Sequence, residues 1–172
     1  IWYNVVMIKQ SAGILVYRKR HDTVEVLLVH PGGPYWAKHD KGVWSIPKGE
    51  HEADEDMFAA AKREYQEEIG SPAPEGDYME LGETKLKSGK VITAWAVEGN
   101  VDPNTIKSNT ISIEWPPKSG EKQVFPEVDR AEWLPLETAV IKIHPAQVVY
   151  IERLADLLNT KLTKSPKQQS LL

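Results

Sequence analysis

The chain has 172 residues, with 21 Lys+Arg against 25 Asp+Glu, a net charge of -4, 41% hydrophobic residues and no cysteine. A globule of this length buries roughly 70% of the surface its unfolded chain exposes, so it needs neither disulfides nor a structural metal, and thiol catalysis and thiolate zinc sites are excluded. No apolar run approaches the roughly 18–20 residues of a membrane span, no secretory signal pattern is present, and the mild acidity argues against a general nucleic-acid binder.

The expected setting is therefore the cytoplasm, with no membrane partner. Residues 1–6 precede Met7, which reads as a natural start, and they are expected to be an expression remnant or poorly ordered. No linker or internal repeat interrupts the rest. One domain over residues 7–160 is expected, followed by a polar, flexible tail at 161–172.

Residues 11–17 (SAGILVY) and 24–30 (VEVLLVH) are apolar, β-branched runs around a polar turn and read as paired strands. Residues 31–41 are rich in Gly, Pro and charge and read as a surface loop. Its aromatics, Tyr35 and Trp36, either stack on a ligand base or pack over the sheet edge. Residues 43–47 form a short extended piece, with a turn at Lys48 and Gly49. From 54 to 69 there is no Gly or Pro, and Phe58, Ala61, Tyr65 and Ile69 recur at helical spacing. Asp54 is the expected N-cap and Gly70 the expected stop. Residues 78–87 and 91–98 read as a strand pair around Ser88-Gly89-Lys90, and 111–115 as a further strand. Residues 116–122 form a loop, 134–143 a short helix, and 145–158 a longer one with Val148, Ile151, Leu154 and Leu158 on one face.

On the first helix, Glu64, Glu67 and Glu68 stand at i, i+3 and i+4, so their carboxylates share one stripe, expected to face away from the core. Three such carboxylates repel one another unless cations sit among them. A solvated acidic face is one reading. The other is a cation site, because carboxylates and a backbone carbonyl from the Pro47-Lys48-Gly49 turn are hard oxygen ligands suited to Mg²⁺ or Mn²⁺. Arg63 would supply a fixed cation to orient one carboxylate.

Gly49, five residues, Glu55, seven residues, Arg63-Glu64, two residues, Glu67-Glu68, one residue, Gly70 resembles the signature of the Nudix hydrolases. Seven fixed positions match by chance at a given site with a probability on the order of 10⁻⁹ to 10⁻⁸. Two softer apolar positions depart, holding Tyr65 and Ser71, and they bear on local packing rather than on metal binding. The resemblance implies an α/β/α sandwich with a mixed sheet. It implies two or more Mg²⁺ or Mn²⁺ ions held by the Gly49 carbonyl, Glu64, Glu67 and Glu68, with Glu64, Glu67 and Arg63 as the catalytic set and Glu64 activating water. Glu55 and Arg63 would brace the loop against the helix. A further acidic ligand outside the signature is expected at Glu127, with Asp129 or Glu98 as fallbacks.

The implied reaction is hydrolysis of a pyrophosphate bond in a nucleoside diphosphate linked to another group. Metals would neutralise the phosphates and lower the pKa of a bound water. Residues 44–50 (WSIPKGE) resemble the same stretch in family members acting on dinucleoside polyphosphates, which makes Trp44 and Lys48 substrate-binding candidates beside Tyr35. Lys85 and Lys87 alternate on an expected strand and would meet a long polyphosphate or solvent. Dinucleoside polyphosphates and nucleoside triphosphates are the leading substrates. Removal of a 5′ pyrophosphate from RNA, or a non-catalytic nucleotide-sensing module, are the alternatives, and the protein is expected to be a monomer or homodimer. Residues 49–70 carry eight acidic and two basic side chains, so the net charge of -4 hides an anionic platform on a slightly basic body.

Overall fold

The computed structural model describes residues 9–162; the remnant expected at 1–6 and residues 163–172 of the expected tail lie outside them. Eight strands run β1 (Gln10–Arg20), β2 (Thr23–Pro31), β3 (Lys48–Glu50), β4 (Met79–Lys85), β5 (Val91–Glu98), β6 (Thr110–Glu114), β7 (Lys122–Pro126) and β8 (Val128–Pro135). Three α-helices are α1 (Met57–Ile69), α2 (Leu136–Lys142) and α3 (Val148–Leu157). The main sheet has the order β4-β5-β1-β2-β8, with β3 paired to β1, while β6 and β7 form a separate hairpin. The β1–β5 pair is parallel and its neighbours antiparallel, so the sheet is mixed.

Strand alternation divides the core in two. From β1, Leu15 and Tyr17 join Trp44, Ile46 and the α2 and α3 side chains Ala139, Tyr150, Ile151 and Leu154. Ala12, Ile14 and Val16 point the other way and pack with Ala60, Ala61, Tyr65 and Ile69 of α1. Helices therefore cover both faces, the expected sandwich.

The first half of β1 carries the feature that builds the site. Strands β1 and β2 pair only from Tyr17–Val26 to Arg20–Thr23 and splay apart beyond. Residues 45–50 enter the gap: Ser45 exchanges two backbone hydrogen bonds with Val29 at 2.9 and 3.0 Å, Ile14 N–H donates to the Pro47 carbonyl at 3.1 Å, and Gly49 faces Ala12 in antiparallel register. Lys48 and Gly49 are thus strand residues rather than the expected turn. A Cβ at Gly13 would meet the Lys48 Cβ and the Pro47 carbonyl at 2.7 Å, so a glycine lets the two backbones approach this closely.

Helix α1 begins two residues later than expected. Asp56, not Asp54, is the N-cap, accepting from Ala59 N–H at 2.8 Å. Gly70 ends it in the left-handed region at φ 86°. Its last carbonyls are also satisfied from outside, by Lys107 N–H on Ile69 and Asn109 N–H on Glu67, both at 2.9 Å. The expected helix at 145–158 opens with a 3₁₀ turn, Pro145–Gln147, before α3. Strands β7 and β8 were not expected.

Candidate functional site

Helix α1 presents its carboxylates to the wedged β3. A Cβ at Gly49 would overlap the Glu64 carboxylate, so only glycine permits this contact. Glu68 does not face away from the core as expected; it is 7% exposed, and its Oε2 accepts the Lys48 N–H at 3.2 Å. Burial pushes the Glu68 carboxyl up to about 8, against the opposing effects of the Lys48 charge and N–H. Burial also raises Glu64, which the Arg63 guanidinium opposes.

Arg63 is the counter-cation of the stripe. Its NH1 donates to Glu64 Oε1 at 2.6 Å and Glu67 Oε1 at 3.1 Å. Its Nε and NH2 donate to the two Glu55 oxygens at 3.0 and 3.2 Å, and NH2 reaches the Glu50 carbonyl at 3.3 Å. One planar fork therefore ties residues 50–55 to the helix while neutralising two of its carboxylates. Among the described residues no three carboxylate or imidazole groups already converge as a cation cage. The guanidinium holds Glu64 and Glu67 to itself, which relieves the repulsion that cations were expected to relieve.

Glu127 arrives from the link between β7 and β8. Its N–H donates to the Asn109 carbonyl at 2.8 Å, and its carbonyl accepts from Gly32 N–H at 2.9 Å. Gly32 has no room for a side chain, since a Cβ would strike the Pro126 carbonyl. Asn109 is the residue whose N–H caps Glu67, so one segment clamps both the end of α1 and Glu127. The Glu127 charge in turn raises both Glu64 and Glu68. Neither fallback joins it: Asp129 Oδ1 is engaged by buried His30 Nδ1 at 2.8 Å, and Glu98 lies beside Arg18–Arg20 at the far end of β1.

Of these groups Lys48, Glu68 and Glu127 line a cleft of about 310 Å³. Its charged end holds Lys48, Glu68, Glu127 and His144, while Trp36, Val43, Leu86 and Val128 contribute apolar wall. Four expected substrate contacts are placed otherwise. Trp44 is fully buried, its Nε1 donating to Asp40 Oδ1 at 3.0 Å and its ring edge-on to His30, so neither face is open to a ligand. Lys85 ends β4 and Lys87 lies in the following turn, so they do not share a strand face, and it is Leu86 between them that lines the cleft. Tyr35 is 62% exposed and packs edge-on against Trp36, the aromatic that reaches the cleft. His144 was missed. Its only sequence signal, a histidine before Pro145, is indistinguishable from a helix-start residue.

Residues 7–155 match the NUDIX domain family profile. The chain belongs to the Nudix family. It is accordingly a Nudix hydrolase, acting on acid anhydrides, and the family generally uses divalent metal ions. Among solved structures, this Nudix chain is similar to a C. elegans Ap4A hydrolase in a binary complex, with 22% identity, a TM-score of 0.60, and 88% of this chain and 98% of that one covered. It is also similar to the NUDIX domain of Shewanella oneidensis NrtR complexed with ADP ribose (16% identity, TM-score 0.58, 88% of each chain) and to the M. smegmatis Nudix hydrolase RenU (20%, 0.55, 91% and 89%). At these identities the likeness concerns the fold. No curated protein matches the sequence. No helix among the described residues is long and apolar enough to cross a membrane.

Proposed function

We propose that this Nudix domain hydrolyses a pyrophosphate bond in a nucleoside diphosphate-linked compound, with dinucleoside polyphosphates and nucleoside triphosphates as its substrates, in the cytoplasm. The observation that carries the reading is the delivery of Glu127, from the β7–β8 link, to the buried end of the α1 carboxylate stripe, in a cleft whose apolar wall includes Trp36. A buried carboxylate such as Glu68, raised first by burial and further by the neighbouring Glu127 and Glu64 charges, is costly for stability, and such groups mark functional sites.

The donor set fits a divalent cation of the hard type. Glu64, Glu67, Glu68, Glu127 and the Gly49 carbonyl would hold two or more Mg²⁺ or Mn²⁺ ions, all through oxygen. A carbonyl has two lone pairs, so the pairing of Gly49 with Ala12 leaves one. Bound cations supply charge neutralisation on the phosphates and acidify a water.

The chain's own residues do the rest. Lys48 is at the charged end of the cleft and makes no ion pair within 4.0 Å among the described residues, leaving its ammonium for a phosphate oxygen. Glu64, released from Arg63, would accept the proton of the attacking water. Arg63 would keep its two bonds to Glu55 and hold the loop in place while Glu64 and Glu67 turn. Trp36 at the apolar wall would stack on the base, which suits a nucleoside group more than a bare polyphosphate.

Incubation with Mg²⁺ and a panel of dinucleoside polyphosphates, nucleoside triphosphates and ADP-ribose, with chromatography of the products, tests the reading. Release of nucleoside mono-, di- or triphosphates from the first two classes is expected. No turnover of any compound, with Mn²⁺ also tried, would refute it.

A further inference from the structure

We propose that His144 is a substrate-contacting residue, a neutral imidazole whose Nε2–H donates a hydrogen bond to a phosphoryl oxygen lying beside Lys48. The inference rests on the nucleotide reading of the cleft and adds to it a residue outside the signature.

The position of His144 is fixed by backbone contacts. Its N–H donates to the Trp44 carbonyl at 2.8 Å, which ties it to the segment that enters the splayed sheet three residues before Pro47. Its side chain caps the 3₁₀ turn that follows, Nδ1 accepting the Ala146 N–H at 3.2 Å. A ring nitrogen that accepts a hydrogen bond carries no proton, so the neutral ring must hold its proton on Nε2. The cap therefore sets the tautomer, and the other nitrogen is a donor on a ring that lines the cleft.

The charged groups that line the cleft with the ring are Lys48 of β3, whose charge acts on it, Glu68 of α1 and Glu127 of the β7–β8 link. Burial and the Lys48 charge hold the His144 pKa below its ordinary value, which favours the neutral ring at neutral pH. Lys48 and His144 then form a pair of donors in one cleft, one charged and one neutral, matching a phosphoryl group with several oxygens to satisfy. The fixed tautomer also limits what His144 can do. Nε2 already bears a proton and Nδ1 is committed to the cap, so the ring has no free lone pair with which to take a proton from water. It binds and orients; it is not the general base.

Asparagine separates the two functions of the side chain. In His144→Asn the amide oxygen still caps Ala146, as asparagine does at helix starts, but no donor reaches as far as Nε2. The variant should keep the wild-type melting temperature, raise KM and the Kd for a methylene-bridged ATP analogue roughly tenfold, the loss of about one hydrogen bond, and change kcat less than about threefold. Long-range ¹H–¹⁵N spectra of the wild-type protein should show His144 with a protonated Nε2 and an unprotonated Nδ1, and the analogue should shift the Nε2 signal. Unchanged KM and Kd in His144→Asn, or a hundredfold fall in kcat at constant KM, would overturn the proposal, as would a proton found on Nδ1. The binding arm needs no turnover. A wild-type protein that binds the analogue but hydrolyses nothing would refute the proposed function while still testing His144, and one that does not bind the analogue would overturn both.

Discussion

Replacing Gly49 by alanine adds a single methyl group at the point where β3 meets α1. An ideal Cβ there would lie 1.7 Å from Oε2, 2.1 Å from the carboxyl carbon and 2.7 Å from Oε1 of Glu64, all well inside van der Waals contact distance. Gly49 has no positive φ among the backbone conformations of the chain, so the substitution carries no strain of that kind and its effect is steric alone. Relief requires either a rotation of Glu64, which breaks its 2.6 Å contact with Arg63, or a displacement of β3 from Ala12 by about an ångström. The atoms met are the end of a flexible side chain that can swing aside, so the stability cost is on the order of 1 kcal/mol, whereas a catalytic group misplaced by about 1 Å costs on the order of a hundredfold in rate. Gly49→Ala should therefore lower kcat about a hundredfold and lower the melting temperature measurably by calorimetry. In a double-mutant cycle with Glu64→Ala the stability losses should be far from additive, because removing the carboxylate removes the clash. Additive losses, or a Gly49→Ala enzyme with full rate, would refute the contact as the reason for glycine.

Stability should also report on Glu68. With a folded-state pKa of about 8 against 4.5 unfolded, the folded protein retains a proton the unfolded chain has lost between those values. The metal-free protein should thus lose stability as pH rises from about 4.5 to about 8, by a few kcal/mol at most, and Glu68→Gln should flatten the trend in thermal melts. A Mg²⁺-induced rise in melting temperature should grow over the same range; a rise that shrinks with pH would contradict the assignment. Glu127→Gln should slow turnover roughly 10- to 100-fold without altering the melt, since its backbone contacts with Gly32 and Asn109 survive the change. Trp36→Ala should raise KM several-fold for nucleotide substrates while Tyr35→Ala leaves it unchanged, as only Trp36 lines the cleft.

The strands 11–17 and 24–30 and the helix ending at Gly70 were legible because apolar alternation and helical spacing act within one element. The role of Lys48–Glu50 was not. Pro47 and Gly49 are turn residues by local chemistry, and the three residues of β3 carry no alternation of their own; their extended state comes from the gap between β1 and β2. Lys122–Pro126 was similarly hidden, because its strand exists only through pairing with Thr110–Glu114. In the site, the spacing of Glu64, Glu67 and Glu68 identified the stripe but not its direction. Glu68 turns inward because the Lys48 N–H offers it a partner twenty residues away in sequence. Trp44 was drawn toward the substrate by its neighbours in sequence, whereas Asp40 and His30 hold it in the core. Glu127 was expected only as the further acidic ligand that the resemblance implies outside the signature, and the contacts that pin it, from Gly32 and Asn109, come from distant parts of the chain.

The central claim is that the carboxylates of α1 support metal-dependent pyrophosphate hydrolysis. It is tested most directly by the initial rate of nucleotide release with Mg²⁺, measured for wild type, Glu67→Gln and wild type with excess chelator. Turnover by the wild-type protein alone, with the other two slower by orders of magnitude and the Glu67→Gln fold intact, is predicted; equal rates in all three would contradict it.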